Sequence, residues 1–330
     1  MREFGLTFMN KLFRTQSTAA LSADQARMQV AAHYSNAMGP LDKVEPRLAA
    51  ALKDLLARPG SLVRAVTAYL LGAKMGVPEE AAHSLACGLE YLHTASLVFD
   101  DLPSMDDAKT RRGAPCVHVA HGKAMAMLAA LAVVNRGYAM LWKGIHFTTE
   151  KRRERAAEWV DQRLGVNGII GGQAYDLKDW NGQQSATAVS EVAARKTGDL
   201  LSLTLVLPAL VGNGTEREIR LLSRIGVMRG LAYQAADDLK DVLIGGAEAG
   251  KTSGRDQMLG RPNLIIAEGV QAALARFQRM QAIGDQMQAA LPGPPEEWDM
   301  LSRLRITMPS NFDFTQHLAD ADHHETSYAI

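Results

Sequence analysis

The sequence contains few of the residues that mark several common protein classes. Its 330 residues include only 2 cysteines, Cys87 and Cys116, so we expect no disulfide framework and a reducing, cytoplasmic compartment. Lysine plus arginine and aspartate plus glutamate both number 36, so no basic excess points to nucleic-acid binding. Every long apolar run is broken by charge, glycine or proline before about 18 residues, so no transmembrane segment is expected.

Aromatic residues and proline are also scarce, at 6% and 12 residues, while hydrophobic residues make up 47% of the chain. Alternating β-branched runs are hard to find, so the composition favours an all-α fold. Start and stop signals predict helices over 22–37, 44–57, 61–75, 78–102, 118–144, 150–178, 186–212, 215–244, 263–291 and 295–305. Because no linker or repeat divides them, we predict a single domain over 21–310, with an N-terminal extension (1–20) and a C-terminal tail (311–330).

Two aspartate-rich clusters, Asp100–Asp107 and Asp237–Asp241, stand out against this apolar background. Pro103 ends the helix that leads into the first cluster, and the second helix runs up to Gly245. Both clusters therefore lie near helix C-termini, where exposed carbonyls disfavour anions. Crowded like charges in a folded domain need a strong compensating charge, most simply divalent cations.

The chemistry of the clusters points to magnesium bound together with phosphate. Their ligands are hard carboxylate oxygens without cysteine or histidine, which favours magnesium over zinc. Basic residues suited to phosphate lie nearby at Arg111, Arg112, Lys196 and Lys251. No Walker-type Gly-x-x-x-x-Gly-Lys-[Ser/Thr] motif is present, which argues against nucleotide hydrolysis.

With these residues the chain resembles the trans-prenyl (isoprenoid) diphosphate synthases, particularly the short-chain geranylgeranyl and farnesyl group. The two aspartate motifs match in order and on equivalent helix ends, and the resemblance spans about residues 45–270. Further matching segments are His93-Thr94-Ala95-Ser96-Leu97, Arg111-Arg112-Gly113, Gly171-Gly172-Gln173-Ala174-Tyr175-Asp176-Leu177, Lys196-Thr197-Gly198, Tyr233-Gln234 and Gly250-Lys251-Thr252. The resemblance implies an all-α, single-domain bundle of about ten or more helices around a central cavity, the isoprenoid synthase fold, and a homodimer.

The resemblance also implies the roles of individual residues. Three Mg²⁺ ions would bridge the aspartate motifs to an allylic diphosphate. The implied metal ligands are Asp100, Asp101, Asp106, Asp237 and Asp241, with Asp238 supporting them. The implied catalytic residues are Asp100, Asp101, Asp106, Asp237, Asp238, Lys196 and Arg111. Arg111, Lys196 and Lys251 would hold the allylic diphosphate, Arg64, His93 and Arg112 would hold isopentenyl diphosphate, and Thr197 and Gln234 would face the carbocation.

Product length is expected to depend on the helix before Asp100, because the growing chain lies alongside it. Ala95 and Ser96, about one turn earlier, are small, which favours the C20 product geranylgeranyl diphosphate. Leu92 and Tyr91 are the next expected barriers.

Two segments depart from the family pattern. Gly60-Ser61-Leu62-Val63-Arg64-Ala65 stands where the family reads Gly-Lys-Arg-x-Arg-Pro. The missing lysine removes a charge-assisted contact worth about 1.5 to 3 kcal/mol for isopentenyl diphosphate. Arg261-Pro262-Asn263 replaces a lysine-containing turn.

Other functions are compatible with the same residues. A farnesyl diphosphate synthase would share every motif. A terpene cyclase or allylic diphosphate hydrolase on the same fold would retain the magnesium and allylic sites without using isopentenyl diphosphate. A regulatory subunit would be expected to carry degraded aspartate motifs, and both motifs are intact here.

Overall fold

A computed structural model describes residues 22–178, 180, 184–243 and 260–307, and in this part the chain is a bundle of α-helices, as predicted. The helices are α1 (Ala23–Asn36), α2 (Pro46–Leu56), α3 (Val63–Lys74), α4 (Glu79–Asp100), α5 (Val117–His121), α6 (Lys123–Ile145), α7 (Glu150–Leu164), α8 (Ile169–Asp176), α9 (Ala186–Ala193), α10 (Asp199–Val211), α11 (Glu216–Leu243), α12 (Leu264–Glu268) and α13 (Val270–Ala289). The predicted extension over 1–20 and tail over 311–330 lie outside the described residues.

Two predicted helices are each divided by a glycine with positive φ. Gly122, with φ 84°, separates α5 from α6, and Gly269, with φ 80°, separates α12 from α13. Glycine reaches this backbone region without a steric penalty, so the chain turns there although the apolar pattern continues. The predicted helix over 150–178 is also divided, into α7 and α8.

Three further differences concern local geometry. The predicted helix over 186–212 contains a π-helical turn, Ala194–Gly198, between α9 and α10. The predicted last helix is a 3₁₀ segment, Pro295–Leu304. A β-hairpin that the sequence did not predict pairs β1 (Thr110–Arg111) with β2 (Ala114–Pro115).

Helix α10 lies at the centre of the bundle, because every residue from Asp199 to Val211 is buried. Its C-terminal carbonyls are satisfied by Arg152 of α7. The Arg152 guanidinium donates to the oxygens of Leu210 at 3.1 Å, Gly212 at 2.7 Å and Gly214 at 3.0 Å. A cation at a helix C-terminus also complements the helix dipole, so this contact fixes the deepest helix to its neighbour.

Helices α4 and α6 cross closely through glycines. A Cβ added at Gly137 would come within 2.9 Å of Leu92, and one added at Gly144 within 2.7 Å of Leu85. Among the described residues, α6 is the single helix long and apolar enough to span a membrane by length and composition. Its extensive contact with α4 is that of a bundle helix.

A stack of three rings joins α1, α3 and α4. The His83 ring lies 3.5 Å from the His33 ring and 4.3 Å from the Tyr69 ring, measured between centroids. His83 is 5% exposed, and its Nε2 lies 3.7 Å from a carboxylate oxygen of the exposed Glu79. Burial lowers the pKa of His83 to about 4, and His33 adds to this effect while Glu79 opposes it.

The contribution of His83 to folding stability is therefore expected to decrease as pH falls from 6.5 to about 4. In this interval the unfolded chain binds a proton at His83 that the folded chain excludes, so acid favours unfolding by up to about 3 kcal/mol. Urea unfolding of the wild type and of His83→Phe across this range measures the effect. Phenylalanine preserves a ring in the stack but does not titrate, so an equal pH dependence in both proteins would contradict the assignment.

Candidate active site

The first aspartate cluster begins where α4 ends, because Pro103 prevents the helix from continuing. The loop that follows folds back onto the helix end. The Asp106 N–H donates to the Asp100 carbonyl at 2.9 Å, and the Asp107 N–H donates to the Leu102 carbonyl at 3.0 Å. This return places Asp100 and Asp106 together on the lining of a large cavity.

The second cluster contributes to the same cavity from α11. Tyr233, Gln234 and Asp237 all line it, so carboxylates from both clusters face one cavity. The Asp241 side chain and Lys251 lie outside the described part of the structure.

In each Asp-Asp pair the first residue faces the cavity and the second is buried behind it. Asp101 is 4% exposed and accepts three hydrogen bonds of 2.7 to 2.9 Å from Arg111. Asp238 is fully buried and accepts from Gln234 Nε2 at 2.9 Å and from the Leu264 N–H at 2.8 Å. Successive helical side chains point about 100° apart, so neighbouring carboxylates do not share a face. Neither second aspartate lines the cavity, in contrast to the predicted metal ligation by Asp101.

The cavity carboxylates are electrostatically crowded. Burial raises the pKa of Asp100 to about 6, and Lys196 opposes this while Asp106 and Asp176 raise it further. Lys196 Nζ donates to Asp176 at 2.8 Å. Burial disfavours the charged form of Lys196, but Asp100 and Asp176 outweigh it and raise its pKa. Lys196 pairs with Asp176 and Arg261 pairs with Asp106, so these two cations offset only part of the charge of the three carboxylates, which suits a site that binds additional cations.

Lys196 and Thr197 reach the cavity from the π-helical turn, Ala194–Gly198. Such turns insert an extra residue into a helix and are frequent at functional sites. The Thr197 hydroxyl lies 3.5 Å from Gln234 Oε1, so the two predicted polar residues meet across the cavity wall.

Arg261 and Asp176 are cavity residues to which sequence reasoning gave no role. Arg261 is 8% exposed, and its Nη2 donates to the Met105 carbonyl at 2.8 Å and to Asp106 at 3.2 Å. It therefore ties the loop of the first cluster to the segment before α12. The sequence feature that could have indicated Arg261 is the Arg261-Pro262-Asn263 turn, which departs from the family pattern. Asp176 was noted only within the segment 171–177 that resembles the family.

Arg112 lies at the tip of the β-hairpin, where it and Gly113 have φ values of 55° and 74°. A two-residue turn with both φ values positive favours Asn-Gly, so arginine is strained here, and such strain is common at functional sites. Arg112 Nη1 donates to the Arg58 carbonyl at 2.8 Å. Its guanidinium also lies against Gly60, where an added Cβ would overlap it.

Arg64 and His93 form the neighbouring part of the cavity wall. Arg64 Nη1 lies 3.0 Å from His93 Nε2. Burial lowers the pKa of His93 well below its ordinary value, and Arg64 and Arg112 lower it further, so neutral His93 accepts this hydrogen bond. Ser61 is exposed and Leu62 is buried, and neither lines the cavity.

The whole cavity has a volume of about 880 Å³, and its wall below the aspartates is mainly apolar. Its apolar lining includes Leu92, Leu97, Phe99, Leu131, Val134, Tyr138, Leu164, Ile169 and Leu200. Ser96 and Leu92 line the cavity as predicted, but Ala95 is 1% exposed and does not. Tyr91 is also buried and does not line the cavity, because α4 turns Tyr91 and Ala95 toward the rest of the bundle. Of the predicted chain-length positions, Ser96 and Leu92 therefore face the cavity.

The cavity carboxylates fit magnesium by their chemistry. Asp100, Asp106 and Asp237 offer hard oxygen ligands, and among the described residues of the lining there is no cysteine and one histidine, His93. Within the described ranges, no three acidic, histidine or cysteine side chains converge on one point. Magnesium needs only one or two carboxylates per ion and completes its shell with water and phosphate, so separated carboxylates suit it.

Known proteins are similar to this chain in sequence. The family model described as polyprenyl synthetase matches residues 45–290. Geranylgeranyl diphosphate synthase of Pantoea ananas is 30% identical over 254 residues, covering 76% of this chain and 82% of that protein. Geranylgeranyl pyrophosphate synthase 11, a chloroplastic protein of Arabidopsis thaliana, is 34% identical over 239 residues, covering 70% and 67%.

Solved structures share the fold. A geranyltransferase from Helicobacter pylori, complexed with magnesium and isoprenyl diphosphate, has a TM-score of 0.74 and 23% identity, covering 88% of this chain and 98% of that one. An FPP/GFPP synthase from Zymomonas mobilis, in its apo form, has a TM-score of 0.70 and 23% identity, covering 86% and 95%. The predicted isoprenoid synthase fold is thus confirmed. Together with the sequence matches, the site places this chain in the polyprenyl synthetase family, among the short-chain trans-prenyl diphosphate synthases, as a prenyltransferase.

Proposed function

We propose that this prenyltransferase condenses isopentenyl diphosphate with an allylic diphosphate in the presence of Mg²⁺, giving geranylgeranyl diphosphate (C20). The observation that carries the proposal is that Asp100, Asp106 and Asp237 all line one cavity, which also has an extensive apolar lining. Positive side chains on the same lining can bind two separate diphosphates: Arg111 and Lys196 for one, Arg64 and Arg112 for the other. The geranylgeranyl diphosphate synthases among the relatives support the C20 product.

The allylic diphosphate is assigned to the aspartate side of the cavity. Asp100, Asp106 and Asp237 would hold magnesium, with Asp241 as a further proposed ligand and three ions as the proposed number. Bound magnesium would neutralise the diphosphate and favour its departure. Lys196 and Arg111 would contact the diphosphate oxygens, while Lys251 retains the same predicted role.

Cleavage of the allylic C–O bond sends its electron pair to the diphosphate and leaves a delocalised carbocation. Thr197 and Gln234 would direct oxygen dipoles toward this cation, and the apolar wall below excludes water that would otherwise capture it. The isopentenyl double bond then attacks, forming the new C–C bond. The proton released from the adduct passes to the departing diphosphate, so no additional protein base is required.

Isopentenyl diphosphate is assigned to Arg64, His93 and Arg112. Arg64 and Arg112 supply two positive charges to the lining, and neutral His93 orients Arg64 through their hydrogen bond. Ser61 supplies neither charge nor cavity surface. The Michaelis constant for isopentenyl diphosphate is therefore proposed to be high for the family.

The direct test uses purified protein with magnesium, isopentenyl diphosphate and, in turn, dimethylallyl, geranyl and farnesyl diphosphate. Mass analysis is expected to show a C20 product that disappears when magnesium is chelated. A C15 end product would indicate the farnesyl alternative. Product formed without isopentenyl diphosphate would indicate a cyclase or hydrolase, and no reaction with any primer would leave the regulatory-subunit alternative.

Gly60→Ala is expected to weaken isopentenyl diphosphate binding selectively. The new Cβ overlaps the Arg112 guanidinium, which can swing away, so the Michaelis constant for isopentenyl diphosphate should rise about tenfold. The Michaelis constant for the allylic substrate should change little. Gly39→Ala is the matched control, because Gly39 has a similar φ of 82° and no atom within 4 Å of an added Cβ. Equal effects of the two substitutions would contradict the Arg112 assignment.

A homodimer formed through α6 is also proposed. Met127, Leu128, Leu131 and Trp142 are 44% to 59% exposed and recur at helical spacing along one face of α6. An apolar stripe of this kind is typical of a surface that packs against another subunit. Sedimentation of the wild type and of Leu128→Glu tests it, and a wild-type monomer would contradict it.

A cytoplasmic location is proposed as well. The chain has only two cysteines, Cys87 and Cys116, and both are buried, which suits a protein kept in a reducing compartment.

A further inference from the structure

A buried carboxyl group lies beneath the proposed isopentenyl diphosphate site, and the mechanism does not use it. Glu90 of α4 is 2% exposed, and Glu is almost never fully buried without a partner. It precedes His93 by three residues, so the two side chains lie on the same face of α4. Because His93 contacts Arg64 on that face, Glu90 faces the start of α3.

The local environment of Glu90 is cationic and incompletely hydrogen-bonded. Among the described residues, Glu90 Oε2 and Arg64 Nε are both buried without a hydrogen-bond partner. One is an acceptor and the other a donor. Burial raises the pKa of Glu90, and Arg64, the Ala65 N–H and Arg112 oppose this rise. The carboxyl group thus lies among the two arginines and the first turn of α3.

We propose that Glu90 is a positioning residue for Arg64: it orients the guanidinium from below, through Nε, and so presents the outer nitrogens to isopentenyl diphosphate. The inference rests on the proposed function of this end of the cavity. Glu90 Oε2 and Arg64 Nε are not bonded to each other directly, and one ordered water can bridge an unpartnered acceptor and donor in one buried site. Positioning matters more in this chain than under the family pattern, which has lysine and arginine at positions 61 and 62, because Arg64 is the single cation of the segment 60–65.

Ala65 adds a second contact that depends on this sequence. The family pattern has proline at this position, which has no N–H, whereas Ala65 presents one toward Glu90. That N–H belongs to the first turn of α3, where backbone donors lack helical partners. Glu90 therefore acts on both the side chain of Arg64 and the backbone that carries it.

The test compares Glu90→Leu with Glu90→Gln. Leucine removes the acceptor, and we expect isopentenyl diphosphate to bind about tenfold more weakly or worse, with allylic substrate affinity and kcat nearly unchanged. Glutamine retains one acceptor and should restore binding to within about threefold of the wild type. Tyr91→Phe is the matched control, because it removes a buried hydroxyl from the same helix. That hydroxyl donates to the Tyr34 carbonyl and not to Arg64.

Isothermal calorimetry with isopentenyl diphosphate measures this binding without turnover, and thermal unfolding monitors the fold of each variant. Unchanged or tighter binding by a folded Glu90→Leu protein would overturn the inference, as would an equal loss in Tyr91→Phe. If Glu90→Leu does not fold, the Glu90→Gln protein decides the question. Isopentenyl diphosphate binding as weak as that of Arg64→Ala would overturn the inference, and binding like that of the wild type would support it. A wild type that binds isopentenyl diphosphate but forms no elongated product contradicts the proposed function alone, whereas a wild type that does not bind it overturns both.

Discussion

Asp237→Asn is expected to reduce turnover by about a thousandfold or more while leaving the protein folded. Asp237 lines the cavity with Asp100 and Asp106, and its replacement removes a negative charge from the proposed magnesium site. Asp100→Asn should have a similar effect. Steady-state kinetics at saturating substrates measure the loss, and circular dichroism establishes that the helices remain. Turnover within about tenfold of the wild type would remove the substituted residue from the metal site.

Asp238→Asn is the matched control for this prediction, because it makes the same chemical change one residue away. Asp238 is fully buried and accepts hydrogen bonds from Gln234 and the Leu264 N–H. Loss of one of these contacts should cost about 1 to 3 kcal/mol of folding free energy. The turnover of the Asp238→Asn protein should greatly exceed the turnover of the Asp237→Asn protein. If the two variants lose activity equally, the division between a cavity-facing and a buried aspartate is wrong.

Ser96→Phe is expected to change the product from C20 to C15 or shorter. Ser96 lines the cavity about one helical turn below Asp100, so a phenyl ring there would occupy the space of the growing chain. Mass analysis of products from dimethylallyl and geranyl diphosphate measures the shift. An unchanged C20 product would show that the chain does not pass Ser96.

Leu92→Ala is expected to act in the opposite direction and allow products longer than C20. Leu92 lines the cavity where α4 and α6 close together, since a Cβ on Gly137 would come within 2.9 Å of it. Truncation to alanine would open this floor. Leu89→Ala is the matched control, because Leu89 lies on the same helix, is fully buried and does not line the cavity. A longer product from Leu89→Ala as well would indicate general loosening of the bundle.

The helices could be predicted from sequence because their signals are local. Apolar periodicity and stop residues such as Pro103 predict helix positions that the structure reproduces in order. The divisions at Gly122 and Gly269 were missed because glycine tolerates both a helix interior and a turn, and the choice depends on packing against the rest of the bundle. The β-hairpin was missed because its strands are only two residues long.

The site was predictable in its chemistry but less so in its geometry. Asp100, Asp106, Asp237, Lys196 and Arg64 were all predicted, and all line the cavity. Arg261 and Asp176 were assigned no role, because their contacts with Asp106 and Lys196 join segments far apart in the chain. Ala95 was misplaced because the exact rotation of α4 about its axis is not readable from residue size.

By itself, the sequence determined the charge chemistry of this protein: paired aspartates at helix ends, flanked by cations, require a compensating ligand wherever the chain folds them. It also determined the all-α class, because periodicity and propensity act within single helices. Only the tertiary structure decided which aspartate of each pair meets the cavity, how deep that cavity extends, and that Arg261 ties the loop of the first cluster to the segment before α12. These features depend on the relative rotation and distance of helices remote in sequence, which packing sets and local signals do not encode.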